Sequence, residues 1–127
     1  MSHADDMNML ADRIMRAIEN NDCDTVADCY APDARIWHNF DGIEQTVPEN
    51  LQTLVWMDGR LKKRRYEIVS RDAFVGGYVQ RHVLHGTLTN GAAFAMPACL
   101  VVTVTDGKIV YLAEYLDTAH GKALSLR

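Results

Sequence analysis

Two dipeptides, Asn90-Gly91 and Asp106-Gly107, divide the stretch from Tyr78 to Asp117 into three runs rich in apolar and β-branched residues. Both dipeptides suit two-residue hairpin loops, which demand positive φ. The stretch therefore reads as three antiparallel strands in meander. Minimal loops fix the register: Thr89 pairs with Ala92 and Thr105 with Lys108, so His82 falls opposite Cys99 and Cys99 opposite Glu114. Gln80, Val101 and Leu112 form the row beside it. Residues directly opposite share a face, so this register puts an imidazole and a carboxylate on one side of an otherwise apolar sheet.

Upstream, Met7, Leu10, Ala11, Ile14 and Ile18 recur at helical spacing, with Asp5 and Asp6 where negative charge suits a helix start. A first helix is expected from about Asp5 to Glu19, broken by Asn20-Asn21-Asp22. A short second helix from about Asp24 to Tyr30 turns Val26, Ala27 and Tyr30 inward before Pro32 stops it. Arg35 to Phe40 reads as a strand closed by Asp41-Gly42. Thr46-Val47-Pro48-Glu49 is a capping-box pattern opening a third helix, which ends near Arg60 with Leu51, Leu54, Val55 and Leu61 as its apolar face. The basic run Arg60 to Arg65 reads as solvated charge gathered at that helix's C-terminus rather than as a phosphate site. Tyr66 to Phe74 is a strand, Gly76-Gly77 a turn, and the tail after Asp117 shows no periodicity.

The order helix, helix, strand, helix and then four strands is an α+β pattern: a curved antiparallel sheet packed against three helices. Long strands twist and bend, so the sheet is expected to form a cone, with the first and third helices over its mouth and an apolar pocket between. With 127 residues, the chain makes one domain over residues 1–127. A formal charge of -4 gives no purchase to a polyanion, so no nucleic-acid partner is expected. The acidic start MSHADDMNML and the lack of a long apolar run argue against a signal peptide and a membrane, and a cytoplasmic location follows. Cys23, Cys29 and Cys99 are odd in number and lack metal-type spacing with the histidines, so reduced thiols are expected. The outer sheet face, carrying Tyr111, Ala113 and Tyr115, needs cover, and a homodimer through that face would supply it.

This order of elements, with four local matches, resembles the nuclear transport factor 2-like superfamily (cystatin-like in architecture), and in particular its SnoaL-like members. The matches are Tyr30-Ala31-Pro32-Asp33-Ala34, Trp37-His38-Asn39, Gln80-Arg81-His82 and Glu114-Tyr115-Leu116-Asp117. The resemblance covers nearly the whole chain and implies a cone-shaped fold that hosts polyketide cyclases, ketosteroid isomerases, limonene epoxide hydrolases, scytalone dehydratases and members without catalysis. SnoaL-type cyclases have a glutamine and a histidine two apart on one strand, as Gln80 and His82 stand here. Their catalytic acid lies on the following strand, and Ala92 to Thr105 holds no Asp or Glu. Limonene epoxide hydrolases have a water-positioning Tyr-x-Asn, to which Trp37 and Asn39 are similar, and a carboxylate before an aromatic on the last strand, matched by Glu114. Where they carry Arg-x-Asp, this chain has Gln80 and His82. Ketosteroid isomerases need a carboxylate on the first strand, where this chain has His38-Asn39.

His82 is the leading candidate for general acid/base work, because an imidazole titrates near neutral pH and the register gives it a carboxylate on its own face. The alternative is a core histidine satisfied by one hydrogen bond. Glu114 shares its face with Val110, Leu112 and Leu116 and must be paired or shifted in pKa, an ion pair with Arg71 being the structural alternative to a catalytic role. Asn39 and Gln80 offer amides to hold a carbonyl or a water. Trp37, Met57, Met96, Cys99 and Leu112 are expected to line the pocket. Strand alternation sets His38 and His85 against Asn39 and His82, and the phase containing Glu114 selects the latter pair for the pocket. Taken together, these residues suggest a small dimeric enzyme, needing no cofactor and no metal, that moves protons on a compact, mostly apolar oxygenated ligand. Cyclisation, isomerisation, dehydration and hydration all remain open. A non-catalytic ligand-binding or dimerisation module of the same fold is the alternative.

Overall fold

The computed structural model describes residues 2–124. Helix α1 (His3–Glu19) opens on a capping box between Ser2 and Asp5, and α2 (Cys23–Cys29) follows at once, N-capped by Asp22. Strand β1 (Tyr30–His38) and the two-residue β2 (Glu44–Gln45) precede α3 (Val47–Asp58), where Thr46 and Glu49 close the expected capping box. Strands β3 (Leu61–Phe74), β4 (Gly77–Leu88), β5 (Ala93–Thr105) and β6 (Lys108–Leu116) make the meander, and a short α4 (Thr118–Gly121) leads into a 3₁₀ turn at Lys122–Leu124. That terminal piece belongs to the tail in which no periodicity is legible, and the tail's last residues, 125–127, lie outside the described ones.

The strands form one curved sheet in the order β2-β1-β6-β5-β4-β3. All neighbours are antiparallel except β1 and β6, which run parallel with His38 beside Glu114. The expected antiparallel sheet thus carries one parallel pair. Met7, Ala11, Ile14 and Ile18 of α1 bury against Tyr78, Val102 and Ile109, and a second cluster around Leu61, Leu84, Phe94 and Leu116 takes in Leu124. Register shifts in β3, and between β5 and β6, break the ladders and bend the strands around the helices.

The basic run departs from its reading as solvated charge. It opens β3, so its side chains alternate faces: Leu61 is fully buried, and Arg64 is buried with Nη2 donating to the Ile18 carbonyl at 2.9 Å. The last carbonyls of a helix lack partners within it, and a cation there also meets the negative end of the helix dipole. Glu19 on the same turn accepts from the Tyr66 backbone N–H at 2.7 Å. Two contacts therefore pin the end of α1 to β3.

Candidate functional site

Between the sheet and α3 lies a cavity of about 90 Å³, enclosed by aromatic and aliphatic side chains including Tyr66, Trp56, Met57 and Leu124. A cavity of about 150 Å³ lined by such groups takes up benzene, so the space here suits a fragment smaller than one ring unless the rim moves. His38, Asn50, Thr53, His82 and Glu114 bring polar atoms to this wall. Asn50 and Thr53 are tied to Gln45, Nδ2 of Asn50 donating to the Gln45 side chain at 3.2 Å and the Gln45 amide donating to Thr53 Oγ1 at 3.0 Å. Burial pushes the phenols of Tyr30 and Tyr66 upward, so both stay neutral at the wall.

His82 stands on β4 with 2% of its surface exposed, its ring edge-on to that of Tyr66 at 4.9 Å between centroids. Nδ1 lies 2.8 Å from Nε2 of the fully buried Gln80. The two side chains share a face because they are two apart on one strand. Gln80 Oε1 in turn accepts from Arg71 Nε at 2.9 Å, and Arg71 Nη1 reaches Asp12 Oδ1 on α1 at 2.8 Å. Burial, the largest influence, pulls the His82 pKa below its ordinary value; Glu114 pulls it up and Arg71 down.

Glu114 does not pair with Arg71. Its Oε1 lies 3.1 Å from Nε2 of His38, a consequence of the parallel β1–β6 register that sets the two residues side by side. Burial lowers the His38 pKa, but the adjacent carboxylate outweighs it and the net shift is upward. The reverse holds for Glu114, where burial raises the pKa while His38, and secondarily His82, pull it below the ordinary carboxylate range. The raised imidazole and the lowered carboxylate favour an ion pair at the cavity wall, with His38 Nδ1 buried and without a partner among the described residues.

The structure brings His82, Glu114, Met57, Met96 and Leu112 together around the cavity, with Gln80 directly behind His82. Trp37, Asn39 and Cys99 are not among the lining residues. Trp37 lies on the outer face, packed edge-on to Tyr115 at 5.2 Å. Asn39 lies one residue past β1, where its amide brackets Leu116, donating to the carbonyl at 3.0 Å and accepting from the N–H at 3.1 Å. It extends the ladder like a strand partner, and His38 takes the inward place. Cys99 pairs with Arg81 and Tyr115, so it too faces outward.

The cause is register. The first hairpin loop has three residues, not two: Leu88 donates to the Ala92 carbonyl at 2.9 Å, Gly91 carries φ +84°, and His82 pairs with Ala98. The second loop is minimal as expected, with Asp106 and Gly107 both at positive φ, but Val110 is then extra: Val104 pairs with Ile109 and Thr103 with Tyr111. One shift turns the middle strand over and the other turns the last strand back. His82 and Glu114 therefore share a face, but Leu100, not Cys99, lies between their strands on that face, and Glu114 stands in the row of Gln80.

The wall residues that escaped the sequence reading include His38, Asn50, Thr53, Trp56 and Tyr66. Asn50, Leu54 and Met57 recur at four- and three-residue spacing, a stripe legible in the sequence, whereas Val55, expected on the apolar face, is exposed.

Comparison with known proteins accords with this architecture. A SnoaL-like domain model matches residues 11–112. Among solved structures, an NTF2-like protein of unknown function from Burkholderia pseudomallei superposes with a TM-score of 0.83 at 17% identity, covering 99% of this chain and 100% of that one. A Shewanella putrefaciens protein described as a SnoaL-like polyketide cyclase gives 0.80 at 13% identity, covering 91% and 93%. An LEH-like epoxide hydrolase from M. tuberculosis gives 0.76 at 20% identity, covering 94% and 89%. At such identities the likeness is one of fold. No curated protein matches the chain by sequence.

Proposed function

Because the chain belongs to the SnoaL-like domain family, we propose that it is a small-molecule enzyme that moves a proton on a compact carbonyl compound held in the cavity between the sheet and α3. The observation that carries this reading is a largely buried carboxylate and two imidazoles on one wall of a mostly apolar cavity. Glu114, held ionised by His38, is the proton acceptor. His82 faces it across the cavity wall as the partner of the substrate oxygen, where negative charge develops as the carbon loses its proton. Such an enolate is common to isomerisation and aldol cyclisation, the latter being the activity suggested by the name of the Shewanella protein. Hydration, which the mycobacterial epoxide hydrolase suggests, would use the same carboxylate on water instead of carbon.

One observation favours the second reading, a ligand-binding module without chemistry. A carboxylate held below its ordinary pKa is a weak base. The two readings separate in deuterium oxide. Under the enzymatic one, acetone, which is smaller than one ring, loses its α-protons to solvent faster with the protein than without, and Glu114→Gln slows this by about 100-fold or more. Binding by thermal shift with no exchange above background would leave only the module.

The same reading has the protein acting in the cytoplasm as a homodimer. In support, no helix among the described residues is long and apolar enough to cross a membrane, and the three cysteines are free thiols. The outer face exposes Val69, Val101 and Tyr115.

A further inference from the structure

We infer that Arg71 and Gln80 are positioning residues that hold His82 as a neutral imidazole with its proton on Nε2, so that the ligand atom His82 meets is a hydrogen-bond acceptor, as in a ketone, aldehyde or ester. The first part stands on hydrogen-bond geometry alone; the ligand class rests on the proton-transfer reading above.

The polarity of the chain runs one way. A guanidinium has only donors, so the Gln80 atom 2.9 Å from Arg71 Nε is its oxygen, which fixes the amide the right way round. The Gln80 nitrogen, 2.8 Å from His82 Nδ1, then has only hydrogens to offer. Nδ1 must accept, and in a neutral ring the one proton sits on Nε2. An imidazolium would set two N–H groups against each other inside a wall where Gln80 has no exposed surface and the Arg71 side chain only 9%. The outer end is anchored as well, since Arg71 Nη1 is held by Asp12 Oδ1 at 2.8 Å. The charged and titratable groups facing His82 are Tyr66 and Arg71 from β3 and Glu114 from β6; His38 on β1 is reached only through Glu114.

The division of labour follows. His82 does not take the proton from the substrate, because Nε2 already bears one and Nδ1 is occupied by the amide. It donates a hydrogen bond to the oxygen that gains charge, and proton removal falls to Glu114. A ligand offering only a donor at that point would meet an N–H and be rejected, which selects carbonyl compounds over ammonium-bearing ones.

Long-range ¹H–¹⁵N correlation spectra of the ¹⁵N-labelled full chain at neutral pH, with no ligand added, decide the point. The His82 ring is expected to show a bare Nδ1 and a protonated Nε2. The opposite tautomer, or a doubly protonated ring, overturns the proposal. Gln80→Glu keeps a partner for Arg71 but offers Nδ1 an acceptor, so the proton should move to Nδ1, the His82 pKa rise, and acetone bind at least tenfold more weakly. A folded Gln80→Glu protein with an unchanged His82 pattern also overturns it. The spectra need no turnover, so failure of the exchange experiment would sink the enolate chemistry and leave the tautomer assignment standing.

Discussion

His38 shows how much of this site turns on a single residue's face. Alternation along β1 permits either His38 or Asn39 to look inward, and nothing within the strand decides. The decision comes from the parallel register with β6, a long-range fact that places His38 beside Glu114. The resulting ion pair makes a testable statement about stability. His38, with its pKa raised on folding, stabilises the fold fully below the ordinary histidine value near 6.5 and loses that contribution as pH rises through the folded value. Glu114, with its pKa lowered, stabilises above the ordinary glutamate value of about 4.3 and loses it as pH falls through the folded value. Both terms are present together between about pH 4.3 and 6.5. The difference in urea midpoint between the natural chain and His38→Gln should therefore be widest in that window and shrink on either side; a difference flat across pH would refute the ion pair. His82, its pKa lowered, works against stability as pH falls below the histidine value, in both proteins alike.

Among the elements, β3 was the most misjudged from sequence. Five basic residues in six conceal a strand start, because charge density outweighs the buried Leu61 in any reading by composition. Lys63 at φ +55° marks the irregularity that lets the run alternate unevenly. Arg64→Ala should then destabilise the protein by about 1.5–3 kcal/mol, through loss of the charged donor to the Ile18 carbonyl, which would keep the Asn21 N–H at 3.2 Å, and lost packing of its aliphatic stem. An exposed position such as Arg65→Ala should cost no more than about 0.5 kcal/mol. Equal denaturation midpoints for the two variants would show that the bond to Ile18 contributes nothing. The meander was legible in outline, since the alternating runs and turn dipeptides announce its strands. Its phase was not. Asn90-Gly91 suits a two-residue loop and also a three-residue one with glycine in the left-handed position, and the choice is made by packing on both sides. The extra Val110 leaves no signature in a run as uniformly apolar as IVYLA.

At the scale of the whole molecule, helix and strand order was enough to place the chain in its fold, while the cavity's lining depended on register and the parallel pair. The outer face makes the remaining prediction. Trp37 and Tyr115 pack edge-on there beside exposed Val101 and Val69. An apolar strip of that kind on a sheet is costly to leave wet. Sedimentation at micromolar concentration should give twice the mass of one chain, and Val101→Glu should halve it; a natural chain that runs as monomer ends the homodimer proposal. The two departures from simple hairpins compensate each other: the first alone would turn Glu114 and Tyr115 over, and the extra Val110 returns them to the sides that His82 and Trp37 require. Excising Val110 would leave the turn at Asp106-Gly107 and every flanking strand sequence untouched, yet everything beyond it would exchange sides, presenting Glu114 to water and thrusting Tyr115 at the helices. A single deletion there acts as a frameshift of faces, so this sheet tolerates changes of side chain far better than changes of length.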